Sequence, residues 1–97
     1  DNGEKHIGYP ISKSSVTQIT RHLAVHLAPN VRVNCIVPGG VQHKQKKSFQ
    51  DKYSKLTPLK RMMRKNELNG LVKLLCSDES SYMTGSIITN DGGWTSW

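Results

Sequence analysis

An incomplete α/β domain is the fold class that the sequence predicts, and three observations predict it. Apolar residues recur every three to four positions over residues 11–28, which is the period of an amphipathic helix. A run rich in β-branched residues follows at 31–37. The rest of the chain contains one further strand pattern, whereas a parallel sheet needs more strands and cover on both faces. We therefore expect a piece of a larger domain.

The first helix and the first strand have clear boundaries. Pro10 stands in the first turn of the helix, where its missing N–H costs nothing, and Pro29-Asn30 ends the helix. The composition of residues 31–37 predicts a strand buried largely on both faces. Pro38-Gly39-Gly40 stops this strand with a tight turn. Helix, turn and strand in this order form half of an α/β crossover.

The second half of the chain contains a flap, a helix and a strand. Residues 42–65 have no clean period and contain one short helix near 48–55, which is typical of a flap over a substrate site. A second amphipathic helix begins at residue 66 or 67 and ends near Cys76. The last strand covers residues 86–90, and Asp91-Gly92-Gly93 forms the turn after it.

The composition indicates a soluble protein with a local excess of positive charge. The 97 residues carry a formal charge of +7, and residues 42–65 contain nine Lys and Arg against one acidic residue, Asp51. Such a segment is either a solvated surface or an anion-binding one. Cys35 and Cys76 are isolated, which predicts free thiols and a cytoplasmic protein. No apolar stretch approaches the roughly 20 residues of a membrane span.

A tyrosine and a lysine four residues apart open the first helix. On a helix, Tyr9 and Lys13 would lie on one face, one turn apart. A nearby ammonium lowers the pKa of a phenol from its ordinary value of about 10. Tyr9 could then exchange a proton with an alcohol or an alkoxide near neutral pH. The spacing alone is common, and the alternative is a half-buried tyrosine beside a solvated lysine.

The order of four motifs resembles that of one protein family. The motifs are Tyr9-x-x-x-Lys13, Asn34-x-x-x-Pro38-Gly39-Gly40-Val41, Tyr82-Met83-Thr84-Gly85 and Asp91-Gly92-Gly93. In this order and at these distances they are similar to the C-terminal part of the classical short-chain dehydrogenase/reductase family. The resemblance implies that residues 1–97 are a C-terminal fragment of a doubly wound, parallel-sheet Rossmann-like domain that binds NAD or NADP.

The resemblance also implies roles for five residues. Tyr9 would be the catalytic acid/base, while Lys13 would lower its pKa and hold the nicotinamide ribose. Pro38 and Gly39 would face the nicotinamide, and the backbone of Val41 would bind its carboxamide. The catalytic serine and the glycine-rich phosphate turn of the family would precede this chain, so we expect the isolated fragment to be inactive.

The implied reaction is hydride transfer between nicotinamide and a carbonyl or alcohol carbon of a small molecule. The positive charge of the flap suggests an anionic substrate. The sequence of residues 53–59 resembles that of reductases of bacterial surface-sugar synthesis. We expect a homodimer or homotetramer for the complete protein, with no nucleic-acid or membrane partner. The alternative is a non-catalytic protein of the same fold, whose basic segment binds an anion or a nucleic acid.

Three histidines are weaker candidates for ligand binding. His43 stands where the family often has a threonine that contacts the cofactor, and either a replaced contact or a plain loop histidine would explain it. His22 and His26 have the i, i+4 spacing of a metal-binding pair, but no third ligand accompanies them. We therefore expect no metal site.

Two methionines and two tryptophans leave alternatives open. Met62 and Met63 would either pack the flap or line a substrate pocket. Trp94 and Trp97 would either pack across a subunit boundary or cover the core.

Overall fold

The computed structural model describes residues 13–96, and it contains three helices and two strands in that range. They are helix α1 (Lys13–Leu27), strand β1 (Cys35–Pro38), helix α2 (Lys47–Leu56), helix α3 (Asn69–Leu75) and strand β2 (Ile87–Asn90). Short 3-10 helices follow α3 at Asp78–Ser80 and β2 at Trp94–Ser96. Pro10 and the predicted first helical turn lie outside the described residues.

β1 and β2 pair in parallel to form a two-stranded sheet. The N–H of Cys35 donates to the C=O of Ser86 at 2.8 Å, and the N–H of Gly39 donates to the C=O of Asn90 at 3.0 Å. Both partners advance by four residues, so the strands run in the same direction. α2 and α3 lie in the connection, as a parallel crossover requires. The predicted α/β class is confirmed.

The predicted helices occur with shifted boundaries. α1 ends at Leu27, just before the predicted Pro29-Asn30 stop, and α2 is the short helix predicted within the flap. α3 begins at Asn69, two or three residues later than predicted. The difference arises because residues 65–68 form turns, in which the N–H of Glu67 donates to the C=O of Arg64 at 3.1 Å.

The chain divides into two units, and the first combines α1 with residues up to Cys35 and with Tyr82–Ile87. Ala24 on α1 is 3% exposed and belongs to the core of this unit. A Cβ on Gly85 would lie 3.5 Å from the Ala24 Cβ. Gly85 has a φ of +75°, which only glycine adopts readily, so it can turn the chain beside α1.

Side-chain hydrogen bonds extend the strand pairing ahead of β1 in this first unit. Asn34 donates through Nδ2 to the C=O of Met83 at 3.1 Å, and its Oδ1 accepts from the N–H of Ser86 at 3.0 Å. The N–H of Val33 donates to Oγ1 of Thr84 at 3.1 Å. The regular strand begins later than the predicted residue 31 because these side chains, rather than backbone groups alone, hold residues 33–34.

The second unit combines Ile36–Ser81 with the chain from Ile88 onward. Met62 and Thr57 are its most deeply buried large side chains, at 4% and 1% exposure. The Thr57 hydroxyl donates to the C=O of Tyr53 at 3.0 Å, at the end of α2. The N–H of Leu59 donates to the C=O of Gly92 at 3.1 Å, which joins the flap to the turn after β2.

The predicted burial of the first strand on both faces is wrong for residues 13–96. β1 is half-buried over its first three residues and exposed at Pro38. β2 is its one neighbouring strand in the described part of the chain. The apolar stripe of α3 likewise contributes no buried residue there.

Two predictions about the chemistry of the chain surface can be compared with the structure. Cys35 is half-buried and Cys76 is exposed, and no disulfide joins them. None of the helices in residues 13–96 has the length and hydropathy of a membrane span.

Candidate functional site

The predicted catalytic and cofactor residues fall in different parts of the chain. Tyr9 lies outside the described residues, and Lys13 is the first residue of α1. Pro38 ends β1, and Gly39 and Val41 form the turn that follows it in the second unit. The structure therefore bears on the turn, while the roles of Tyr9 and Lys13 stay predictions.

The turn after β1 has a single backbone N–H without an acceptor in residues 13–96. The neighbouring N–H groups are all bonded: Gly39 to Asn90 O at 3.0 Å, Gly40 to the Tyr53 hydroxyl at 2.6 Å, and Gln42 to Met63 O at 2.7 Å. The N–H of Val41 has no such partner among the described residues. It is therefore a backbone donor available to a ligand at the carboxyl end of β1.

The orientation of this N–H follows from a parallel bridge between Val41 and Met63. In such a bridge, the residues before and after Val41 make the hydrogen bonds to Met63. The N–H of Met63 accordingly donates to the C=O of Gly40 at 2.8 Å. The C=O of Val41 accepts from Nε2 of Gln45 at 3.0 Å. The Val41 N–H thus faces away from Met63.

Packing within the second unit accounts for both glycines of the turn. A Cβ on Gly39 would lie 2.9 Å from Cα of Asp91, and a Cβ on Gly40 would lie 2.6 Å from the Tyr53 ring. Real Cβ atoms essentially never approach so closely. The glycines are therefore explained without a flat ligand ring, and they show that the predicted Pro38-Gly39 and Asp91-Gly92-Gly93 motifs meet.

Tyr53 fixes the turn from the flap side, and the sequence analysis missed it. Its hydroxyl accepts the Gly40 N–H, and its ring stacks on Trp94 with centroids 4.4 Å apart and planes 18° apart. Trp94 therefore packs within its own unit, although it remains 36% exposed. Trp97 lies outside the described residues. The aromatic pair Phe49 and Tyr53, one helical turn apart, was the available signal.

Asp91 organises the turn after β2. Its Oδ1 accepts from the N–H of Gly93 at 3.0 Å, and its Oδ2 accepts from the N–H of Thr95 at 3.1 Å. Desolvation raises the pKa of Asp91, but the hydrogen bonds from Thr95 and Gly93 outweigh it and lower the pKa below its ordinary value. The carboxylate therefore serves to hold this turn.

A bidentate ion pair borders a cleft behind the β1 turn. Arg61 donates through Nη1 and Nη2 to the two carboxylate oxygens of Glu67, at 2.6 and 2.8 Å. The cleft has a volume of about 450 Å³, part of it open to solvent, and Met62 and Met63 line it with this pair. Met62 is buried, which favours the packing alternative, and a substrate in this cleft stays a prediction.

Replacing Glu67 by Gln is expected to reduce the acid sensitivity of folding. Hydrogen bonds from Arg61, and then from the Arg64 N–H, lower the pKa of Glu67 from its ordinary 4.5 to about 2. Because the folded state favours the carboxylate, stabilisation present above pH 4.5 is lost as the pH falls towards 2. Denaturant unfolding at low salt should therefore show a steeper acid loss in the wild type than in Glu67→Gln.

The matched control for that measurement is Glu79→Gln. Glu79 is an exposed carboxylate with no salt bridge among residues 13–96. The free energy of unfolding of Glu79→Gln should depend on pH as it does in the wild type. Added salt should reduce the difference between the wild type and Glu67→Gln, because the Arg61–Glu67 pair is partly exposed. Equal slopes for the wild type and Glu67→Gln would contradict the prediction.

The histidines do not form a metal site in residues 13–96. His22 and His26 stack on α1 with ring centroids 6.0 Å apart. No group of three metal-ligating side chains occurs in the described range. His43 is exposed, and its backbone N–H donates to Oε1 of Gln45 at 2.8 Å. Its side chain lines a second cleft, described below.

Comparison with known sequences shows relatives over almost the whole chain. A family model described as enoyl-(acyl carrier protein) reductase matches residues 2–95. A tropinone reductase homologue of Arabidopsis thaliana is 37% identical over 94 residues, covering 90% of this chain and 36% of that protein. Dehydrogenase/reductase SDR family member 4 of Sus scrofa is 33% identical over 95 residues, covering 91% and 34%. The chain spans about a third of the length of these relatives.

Solved structures resemble the fold with similar coverage. A short-chain dehydrogenase from Leptospira borgpetersenii, with bound NAD+, has a TM-score of 0.83 and 41% identity, covering 90% of this chain and 35% of that one. A gluconate 5-dehydrogenase from Burkholderia cenocepacia, in complex with NADP and tartrate, has a TM-score of 0.79 and 27% identity, covering 88% and 36%.

Proposed function

The chain belongs to the classical short-chain dehydrogenase/reductase family, and from that premise we propose that the protein containing it is an NAD(P)-dependent oxidoreductase. It transfers a hydride between nicotinamide and a carbonyl or alcohol carbon. The observation that carries the proposal is the N–H of Val41 at the carboxyl end of β1, which has no acceptor among residues 13–96. Ligands of open α/β sheets bind at the carboxyl ends of strands.

The donor set of the turn fits the carboxamide of a nicotinamide. The Val41 N–H supplies a donor, and Pro38 and Gly39 supply backbone without a long side chain. Lys13, at the start of α1, is proposed to hold the ribose hydroxyls. The nicotinamide supplies or accepts the hydride when it is bound. The NAD+ and NADP of the two similar structures support this class of cofactor without choosing between them.

Tyr9 and Lys13 are proposed to move the proton that accompanies the hydride. The Tyr9 phenol donates a proton to the developing alkoxide during reduction and accepts it from the alcohol during oxidation. The Lys13 ammonium favours the phenolate, which brings the acid/base closer to neutral pH. The substrate is therefore a small molecule with a carbonyl or alcohol group.

The contacts of residues 53–59 indicate that this stretch packs the flap, and they do not point to a particular substrate. Tyr53 bonds to the β1 turn, Thr57 is buried, and Pro58 lies against Gly93. The surface-sugar substrate, the cytoplasmic location and the homodimer or homotetramer stay predictions.

Hydrogen exchange at a single amide tests the proposal. In the full-length protein, the Val41 amide is expected to exchange rapidly without a dinucleotide and at least about tenfold more slowly with saturating NAD+ or NADP+, because the ligand supplies its missing acceptor. The Gln42 amide, already bonded to Met63, is the internal control and should change little.

The same measurement separates the enzyme from a non-catalytic protein of the same fold. Absence of binding by both dinucleotides would overturn the proposal and favour that scaffold. Tight binding that leaves the Val41 amide unprotected would instead overturn the assignment of Val41.

A further inference from the structure

A basic cleft lies immediately after Val41. It is a shallow depression of about 610 Å³, much of it open to solvent, and is lined by Gln42, His43, Lys44, Arg64 and Lys65. Three of these side chains are cationic and none is a carboxylate. A cleft whose walls carry positive charge attracts anions.

The backbone places these cations side by side. The parallel bridge between Val41 and Met63 and the 2.7 Å bond from Gln42 N–H to Met63 O join two stretches of the second unit. Because both stretches run in the same direction, the residues that follow the bridge on each lie next to one another. Lys44 is thus brought close to Arg64 and Lys65, about twenty positions further along the chain.

Glu67, the carboxylate that follows Arg64 and Lys65 most closely in sequence, is already engaged. Both oxygens of Glu67 accept hydrogen bonds from Arg61, and one also accepts from the backbone N–H of Arg64 at 2.8 Å. The Arg64 side chain acts on Glu67 only as a weak neighbouring charge. Lys44, Arg64 and Lys65 form no salt bridge among residues 13–96, so their charge remains available to a ligand.

The position of the cleft relates it to the proposed reaction. His43 follows Val41 by two residues, and two residues span at most about 7 Å. A ligand group in the cleft would therefore lie within a small molecule's length of the Val41 N–H. Arginine and lysine bind carboxylates and phosphates through charge-assisted hydrogen bonds.

We infer that the substrate carries a phosphate or carboxylate group, and that Lys44, Arg64 and Lys65 bind this group in the basic cleft. The inference rests on the proposed oxidoreductase function and specifies its substrate class. The same anion chemistry could come from the diphosphate of the dinucleotide, and the experiment distinguishes the two sources.

The test is a titration of the full-length protein with inorganic phosphate, followed by calorimetry in the absence and presence of saturating NAD+ or NADP+. The double variant Lys44→Gln/Lys65→Gln should weaken phosphate binding at least about tenfold, as expected for the loss of two charge-assisted contacts. The control Lys52→Gln/Lys55→Gln removes the same charge from α2, outside the cleft lining, and should change the affinity less than about twofold.

Three outcomes would overturn the inference. Equal weakening by the two double variants would assign phosphate binding to net charge alone. Loss of phosphate binding when the dinucleotide is bound would assign the cleft to the cofactor diphosphate. Binding of a short DNA duplex that depends on Lys44 and Lys65 and displaces phosphate would assign it to nucleic acid.

Dinucleotide binding, followed separately by nicotinamide fluorescence, keeps the two proposals distinguishable. Normal dinucleotide binding without phosphate binding would overturn only the inference that the basic cleft binds an anion. Phosphate binding that depends on Lys44 and Lys65 but without any dinucleotide binding would overturn the oxidoreductase proposal.

Discussion

Replacing Tyr9 by Phe in the full-length protein is expected to lower kcat by about 10²–10⁴-fold, the usual contribution of a positioned general acid or base. The substitution removes the phenolic hydroxyl and keeps the ring, so the fold should remain intact. The measurement is steady-state oxidation or reduction at saturating dinucleotide. Dinucleotide affinity and the melting temperature should remain close to the wild-type values.

Tyr82→Phe is the matched control for this substitution. Tyr82 is fully exposed, at 102% of its reference area, and its hydroxyl contacts nothing in residues 13–96. Its variant should retain wild-type kcat, which separates the loss of a catalytic proton from the loss of any phenol. Wild-type turnover by Tyr9→Phe would contradict the acid/base role. The four-residue spacing of Tyr9 and Lys13 would then be a chance occurrence.

The motifs that stand out in the sequence lie against one another within each unit. Asn34 bonds to Met83 and to the N–H of Ser86 in the first unit. Gly39 lies against Asp91 in the second. These contacts join residues about fifty positions apart. The sequence marks the turns, because glycine, proline and asparagine leave recognisable signatures there, but it does not show that the turns touch.

The support of the turn could not be predicted from the sequence. Tyr53 lies in a segment without hydrophobic period. Its spacing from Phe49 indicates an aromatic pair, but neither the bond to Gly40 nor the stack on Trp94. The unbonded Val41 N–H is equally invisible, because a backbone donor has no sequence identity. The basic cleft depends on the bridge between Val41 and Met63, which sets distant lysines side by side. Charge counting detected the cations but not their arrangement.

Gly93→Ala is expected to destabilise the full-length protein by about 2–5 kcal/mol. Gly93 has a φ of +92°, and a Cβ there would lie 2.7 Å from Cγ of Pro58. The positive φ costs an L-residue roughly 1–2 kcal/mol, and overpacking adds about 1–3 kcal/mol. Relief by backbone movement would weaken the 3.0 Å bond from Gly93 N–H to Asp91. The free energy of unfolding in urea measures the effect.

Gly70→Ala is the control, because it adds the same methyl group in open space. Gly70 lies in α3 with no neighbour within 4 Å of an added Cβ, so alanine should stabilise the helix by about 0.5–1 kcal/mol. The two variants should therefore change stability in opposite directions. Gly93→Ala should also weaken dinucleotide binding, because the displaced Asp91 packs on Gly39 beside the Val41 donor. Destabilisation without any loss of dinucleotide affinity would show that the two turns are mechanically independent.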